Sequence, residues 1–174
     1  REPFLNPRRG WLNELAVEYA GGFIGGKTSF FKFTADNRVY WQIHNLIVVN
    51  ALRTGYARGL RSNRERQIIS FERFRAGGAT TVRGYEERSL GPLDKLSNTR
   101  RGDVLFIYNL ELRFPIYKLV GGTFFFDSGN VWNNLSEIDS ASLRCAIGGG
   151  MRVDTPLGPV RFDYAFPLLD GYSP

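Results

Sequence analysis

The sequence predicts an all-β fold, and more narrowly part of a transmembrane, antiparallel, up-and-down β-barrel. Apolar and polar residues alternate with a period of two along much of the chain. The composition is 43% hydrophobic and 14% aromatic, yet the mean hydropathy is only -0.25. No segment has the run of about 18 apolar residues that a membrane helix requires. Strands with one lipid-facing and one polar face account for all three observations.

The clearest alternation lies between residues 103 and 116. Its apolar face consists of Val104, Phe106, Tyr108, Leu110, Leu112, Phe114 and Ile116. Asn109, Glu111 and Arg113 point the other way, as expected for a strand between lipid and a wet lumen. The same test predicts seven strands, near residues 11–20, 28–42, 46–57, 103–116, 120–131, 143–154 and 158–168. Because closure of a bacterial barrel needs an even number of at least about eight strands, we expect residues 1–174 to be one incomplete barrel domain.

A soluble β-sandwich would also alternate, so the connections are needed to decide between the two. Short links near residues 43–45, 115–118 and 155–158 alternate with longer ones at residues 21–27, 58–101 and 132–142. Outer-membrane barrels have this asymmetry between short periplasmic turns and long external loops. Aromatic residues near the predicted strand ends are expected to form interfacial girdles: Trp11, Tyr19, Trp41, Tyr56, Tyr117 and Trp132.

Charge and composition argue against several functions. The net charge is +6, but the arginines are interspersed with acidic residues, which favours lumenal ion pairs or lipid headgroups over nucleic acid. The single cysteine, Cys145, allows no intrachain disulfide and is expected to face lipid, and the single histidine, His44, excludes a His-rich metal site. Gly148-Gly149-Gly150 precedes no predicted helix and is therefore not a phosphate-binding loop. We expect no enzyme activity, no cofactor and no metal.

The connection over residues 58–101 is long enough to be functional. Gly77 and Gly78 permit a positive φ or a close backbone approach, and Gly84 does the same beside Arg83. The loop also carries several further arginines that are expected to be solvated or to contact lipid phosphate: Arg61, Arg64, Arg66, Arg73 and Arg75.

Strand alternation places Glu111 and Asp127 on the polar faces of two adjacent strands. From the residues alone, two interpretations remain open. The two acids are either ordinary solvated lumen charges, as in a porin, or partners for Arg83 if the loop enters the lumen. In the second case Arg83 would form charge-assisted, bidentate hydrogen bonds.

Four runs of residues resemble the BamA/TamA type of outer-membrane assembly factor. The loop run extends from Phe74 to Pro92 and contains Gly77, Gly78 and the motif Val82-Arg83-Gly84-Tyr85. An aromatic-x-Asp-x-Gly strand is matched at residues 125–132, which include Phe126, Asp127 and Gly129. Residues 109–116 and 148–168 supply the other two runs. The matches occur in the family's order over essentially the whole chain.

The resemblance implies a barrel of sixteen strands, of which about seven are present here. It also implies that the long loop folds back into the lumen and that Arg83 pairs with the acids at Glu111 and Asp127. We further expect a final strand after residue 168 and polypeptide-binding periplasmic repeats before the barrel. BamA-like and TamA-like members are not separated by these motifs.

The implied function is insertion and folding of β-barrel proteins in the bacterial outer membrane. The expected partners are nascent outer-membrane proteins, outer-membrane lipids and lipopolysaccharide, and periplasmic or lipoprotein accessory subunits, with no nucleic acid. Three alternatives stay open: a polypeptide transporter of the two-partner secretion type, a passive pore, and a barrel that anchors a fused enzyme.

Overall fold

The computed structural model describes residues 9–21, 29–60, 72–94, 98–155 and 158–168. The strands are β1 (Gly10–Ala20), β2 (Phe30–Ile43), β3 (Leu46–Gly59), β4 (Leu93–Asp94), β5 (Thr99–Arg100), β6 (Val104–Tyr117), β7 (Val120–Trp132), β8 (Arg144–Thr155) and β9 (Gly158–Pro167). Seven of them form one antiparallel sheet in the order β1-β2-β3-β6-β7-β8-β9, while β4 pairs with β5. Chain neighbours are thus sheet neighbours, which confirms the predicted all-β, up-and-down class. The long strands begin and end within two residues of the expected limits.

The sheet has an apolar outward face and a charged inward face. Large apolar side chains that are more than half exposed line the outward face of the strands: Trp11, Leu15, Phe124, Phe162 and Tyr164. Asn50 is a polar interruption of this face, and its amide donates to the hydroxyl of Tyr108 at 2.8 Å. Such pairing satisfies polar groups that would otherwise face lipid.

Trp132 does not belong to an exposed aromatic girdle, so that part of the prediction is wrong. Its side chain is only 4% exposed, and its indole N–H donates to Ser142 Oγ at 2.8 Å. The connection between β7 and β8 covers the end of β7 here. That connection contains two short 3₁₀ turns, Leu135–Glu137 and Ser140–Ser142.

The described part of the chain contains no helix with the length and hydropathy of a membrane span. The short turns between strands use the left-handed backbone region, with φ of 55° at His44 and 44° at Lys118.

The apolar core lies between the long connection and the inner wall of the sheet. Phe74, Ala76, Val82 and Leu90 are the loop's contribution, and Leu105, Ile107, Val131 and Ala146 are the wall's. All eight side chains are less than a tenth exposed. The loop therefore packs inside the curved sheet and is not splayed away from it, because its apolar residues are buried there.

Candidate functional site

The tip of the long loop is a compact turn with left-handed glycines at its start. Gly77 and Gly78 have φ of 102° and 97°, and a Cβ on Gly77 would lie 2.4 Å from the Glu86 carbonyl oxygen. Thr81 Oγ1 accepts a 2.9 Å hydrogen bond from the Gly77 amide. Only glycine fits this conformation and this contact without strain. The turn delivers Val82 and Arg83 to the inner wall, where Val82 is fully buried.

The Arg83 guanidinium donates two hydrogen bonds to the carboxylate of Asp127 in β7, in a bidentate arrangement. Its Nε donates to Oδ2 at 2.7 Å and its Nη2 to Oδ1 at 2.8 Å. The Arg83 backbone amide donates to the same Oδ2 at 3.1 Å, and the Asn109 amide donates to Oδ1 at 2.7 Å. Asp127 has no exposed surface. A fully desolvated carboxylate with four donors is well satisfied only while Arg83 remains in place.

Glu111 of β6 is shared among three arginines. Arg83 Nη1 donates to Oε1 at 2.9 Å. Arg113 and Arg152 donate to the other oxygen, Oε2, at 2.9 and 2.8 Å. Unlike Asp127, this carboxylate therefore keeps cationic partners if Arg83 is removed.

A third acid, Asp163 of β9, completes the set, and sequence reasoning did not assign it to Arg83. Its Oδ2 accepts a hydrogen bond from Arg83 Nη1 at 3.0 Å and forms an ion pair with Arg161 Nε at 3.2 Å. Asp163 alternates with the apolar residues Phe162 and Tyr164, so it lies on the polar face of its strand. Two strands separate β9 from β6 in the sheet. The sequence pattern does not show that a side chain of β9 reaches the same arginine as a side chain of β6.

Arg83 also stacks on an aromatic ring of the inner wall. Its guanidinium carbon lies 3.5 Å from the centroid of the Phe125 ring, which is 5% exposed. Cation–π contact of this kind is stronger in a desolvated setting. The face of the ring and the three carboxylates together fix the plane of the guanidinium.

The other motif residues pack on β8 and β9. Gly84 has φ of 89°, and a Cβ on it would lie 3.3 to 3.4 Å from Ala146 Cβ, Ala165 Cβ and the Pro167 nitrogen. The hydroxyl of Tyr85 donates to the Cys145 carbonyl at 3.2 Å. The loop tip therefore touches four consecutive strands, β6 to β9.

The strand motif residues have separate positions. Phe126 lies on the outward face, opposite Leu110 of β6 in the register. Gly129 is buried, and a Cβ there would lie 2.6 Å from both the Phe106 carbonyl oxygen and Ile107 Cδ1. Gly129 thus permits close packing of β7 on β6, while Phe126 does not approach Arg83.

The base of the loop is held by a second set of contacts, and the expectation of a solvated Arg73 is wrong. Arg73 Nε donates to Asp103 at 2.6 Å, and its Nη2 donates to Asn133 at 2.5 Å. Glu72 pairs with Lys32 of β2 at 3.0 Å. These partners lie in β2, directly before β6 and directly after β7. They are therefore far apart in the chain, which is why the linear sequence did not associate them.

Arg75 lies next to this base. Burial lowers the pKa of its guanidinium, and the charges of Arg101 and Arg88 act in the same direction. An arginine remains protonated at any physiological pH, so Arg75 is a cation there. Arg61, Arg64 and Arg66 lie outside the described residues.

The site is a cluster of ion pairs that attaches the loop tip to the sheet. Among the described residues, no group of histidine, cysteine and acidic side chains could hold a metal ion. The acids at the site are all engaged with arginines. What the geometry can do is hold an inserted loop against the wall of a sheet.

An antiparallel sheet with an apolar outer face and a long loop inserted on its inner side defines part of an outer-membrane β-barrel. The match to known sequences is more specific. Residues 1–172 match the model of the Omp85 superfamily domain, and the chain belongs to that superfamily.

Curated relatives agree with this assignment. The chain is 32% identical over 169 residues to the outer membrane protein assembly factor BamA of Nitratidesulfovibrio vulgaris, which covers 95% of this chain and 21% of that protein. It is 28% identical over 202 residues to BamA of Neisseria meningitidis, covering 94% of this chain and 24% of that protein. The chain thus spans about a quarter or less of these relatives. Both relatives are outer-membrane protein assembly factors.

A solved structure shares the fold. The crystal structure of BamA from Haemophilus ducreyi lacking POTRA domains 1–3 matches with a TM-score of 0.74 and 19% identity. The match covers 97% of this chain and 36% of that one. The chain accordingly has the fold of a part of an outer-membrane β-barrel.

Proposed function

We propose that this chain is part of the membrane domain of an outer-membrane assembly factor, which inserts and folds β-barrel proteins in the bacterial outer membrane. The observation that carries the proposal is the loop tip packed on the inner wall, with Arg83 joined to three acids. A loop packed against the inner wall narrows the lumen, which favours this function over that of a wide, passive pore. Membership of the Omp85 superfamily and the names of the relatives support the same function.

In this proposal the motif Val82-Arg83-Gly84-Tyr85 is a latch that keeps the loop inside the barrel. Glu111 and Asp127 are its wall partners, and Gly77 and Gly78 shape the turn that presents it. The bidentate contact with fully buried Asp127 supports the role, because an arginine fork matched to a desolvated carboxylate is both strong and directional.

The remaining strands, including a final one, and the polypeptide-binding periplasmic repeats belong to the rest of the full-length protein. An exposed strand edge at the barrel seam would template an incoming strand by β-augmentation. The proposed partners are nascent outer-membrane proteins, the surrounding lipids with lipopolysaccharide, and accessory subunits at the periplasmic side.

The test is a folding assay in liposomes that contain the full-length protein. An unrelated β-barrel substrate is added from denaturant, and its rate of folding is followed by heat-modifiable migration on gels. We expect faster folding than in empty liposomes. A polypeptide transporter would move only its cognate partner and leave the folding rate of the unrelated barrel unchanged, and that result would refute the proposal.

A matched pair of variants tests the latch. Arg83→Ala should lower the acceleration of folding. Arg88→Ala should not, because the Arg88 side chain is 63% exposed and its ion pair with Glu87 is long, at 4.0 Å. Equal rates for the wild type and Arg83→Ala, with both proteins folded, would contradict the latch while leaving the assembly function standing.

A further inference from the structure

The inner face of β8 has a gap in its side chains directly beneath the loop tip. Ala146, Gly148 and Gly150 are the inward residues at this level, between the inward-facing Arg144 and Arg152. A Cβ on Gly148 would lie 2.3 Å from the Phe125 ring, and one on Gly150 would lie 2.2 Å from Asp163 Oδ1. Side chains of β7 and β9 therefore lean over β8 from both sides.

This gap brings Asp163 to Arg83. Asp163 pairs with Gly150 in the register, and Phe125 pairs with Gly148. Arg83 lies on the Phe125 ring, at 3.5 Å, and reaches across β8 to Asp163 at 3.0 Å. Any larger residue at position 148 or 150 would stand in the path.

The three acids around Arg83 differ in whether they keep another cationic partner when the Arg83 guanidinium moves away. Within the described part of the chain, Arg83 is the sole cation on Asp127, which has no exposed surface. Asp163 also holds Arg161, whose side chain is 40% exposed, and its own side chain is 11% exposed. Leaving a buried carboxylate without its cation is costly, whereas one that keeps a partner loses little.

We propose that Asp163 is a positioning residue: through its ion pair with Arg83, here called the arm, the loop tip sets the position of β9. Among the ion pairs that Arg83 makes, the arm is the one that breaks and re-forms. The tip stays fixed on β7 through Asp127. The ion pair between Arg83 and Asp163 breaks at a low cost in free energy, because Asp163 keeps its ion pair with Arg161. This inference rests on the proposed latch, and it assigns the latch a second task, which is to set the position of β9.

The experiment measures the position of β9 by double electron–electron resonance in the full-length protein in lipid vesicles. Spin labels replace Phe162 of β9 and Leu110 of β6, which are outward-facing and 68% and 37% exposed. Cys145 and any other native cysteine of the full-length protein are changed to Ser so that only the two new cysteines are labelled. Asp163→Asn is compared with the parent and with Arg161→Gln, which removes the other cation of the same acid.

We expect Asp163→Asn to give a longer and broader distance distribution, and Arg161→Gln, which leaves the Arg83–Asp163 ion pair in place, to give no broadening. Asp163→Ser should behave like Asp163→Asn, which covers the case in which the Asn amide disturbs Arg83 or the variant does not fold. Heat-modifiable migration identifies the folded samples. An unchanged distribution in a folded Asp163 variant, or equal broadening in Arg161→Gln, would overturn the proposal.

The distance readout is independent of assembly activity. If the wild-type protein fails to accelerate barrel folding but Asp163→Asn still broadens the distance, the proposed function fails and the arm stands. If activity is present and the distance does not respond, the arm fails and the proposed function stands.

Discussion

Arg83 binds three acids, and these acids differ in how many other hydrogen-bond and ion-pair partners they have. Its guanidinium makes two hydrogen bonds to Asp127 and one each to Glu111 and Asp163. Glu111 retains Arg113 and Arg152 without it, but among the described residues Asp127 keeps only uncharged donors, the Asn109 side-chain amide and the backbone N–H of residue 83. The energetic importance of the arginine therefore concentrates on one acid.

Removal of Arg83 should destabilise the barrel strongly. Arg83→Ala leaves Asp127 as an uncompensated buried charge, which costs about 3–5 kcal/mol. Denaturant titration of the refolded protein in lipid measures the loss. The double variant Arg83→Ala with Asp127→Ala should recover part of it, and Arg88→Ala should cost almost nothing. A loss of the same size in Arg88→Ala would show that the effect is not specific to the anchor.

The glycines of β8 offer a second test at the level of single residues. Gly148→Ala should destabilise by about 1–3 kcal/mol, because its Cβ would overlap the Phe125 ring and the Tyr164 carbonyl oxygen, each at 2.3 Å. Gly149→Ala is the matched control, since its Cβ would meet nothing closer than 3.5 Å. Denaturant titration compares the two variants. Equal stability would contradict the packing described here.

At the scale of elements, the long connection is attached at two places. The tip is held by Arg83, and the base by Glu72, Arg73 and Phe74. Phe74 packs over Gly55 of β3, where a Cβ would lie 2.5 Å from its ring. The Phe74 amide and carbonyl also exchange hydrogen bonds with Gly102, at 2.9 and 3.0 Å. Three successive residues thus contact three different parts of the sheet.

Loss of the base contact should loosen the loop locally. Arg73→Ala removes the partners of Asp103 and Asn133, so we expect faster amide hydrogen exchange at residues 72–76 and 101–103. Residues 81–85 should keep their protection, because the tip has its own anchor. Mass spectrometry of exchanged peptides makes the measurement, with Arg88→Ala as the control. If exchange rose equally at the tip and the base, the two attachments would be one cooperative unit.

At the scale of the whole molecule, the sheet separates lipid from lumen by alternation alone. Leu15 lies in the middle of β1, faces outward and is 67% exposed. Glu14 precedes it on the inward face, opposite Asp36 in the register. A cation is therefore expected to have very different costs at these adjacent positions.

Leu15→Arg should destabilise the barrel by about 2–4 kcal/mol, the cost of an arginine facing lipid near the bilayer midplane. Glu14→Arg places the same side chain on the lumen face, next to Asp36, and should have little effect. Denaturant titration in lipid vesicles compares the two variants. A similar cost for both would mean that this face of β1 does not contact lipid.

Much of the architecture followed from local pattern. The strands from β1 to β9 that form the main sheet lie close to the predicted segments, because the period of two is strong wherever one face is apolar. Alternation also placed Glu111 and Asp127 inward, and the family resemblance pointed Arg83 at them. Asp163 was missed as a partner because its approach depends on the empty inner face of β8.

Two expectations were wrong for a common reason. Arg73 was expected in solvent or against lipid phosphate, and Trp132 in an aromatic girdle. Arg73 instead has specific partners where its loop folds back, and Trp132 is covered by another loop. Arg73 is held by Asp103 and Asn133, and Trp132 lies beneath the connection that contains Ser142. A position at a strand end is compatible with either environment, and the linear sequence does not say where a loop will fold back.

The sequence by itself determined which residues face lipid and which face the lumen, because side-chain direction in a strand depends only on parity. The tertiary structure alone decided which inward residues meet. That outcome depends on the register between strands, on the small side chains of β8 and on the path of the loop. Arg83 consequently joins acids from β6, β7 and β9, which lie up to 80 positions away in the chain.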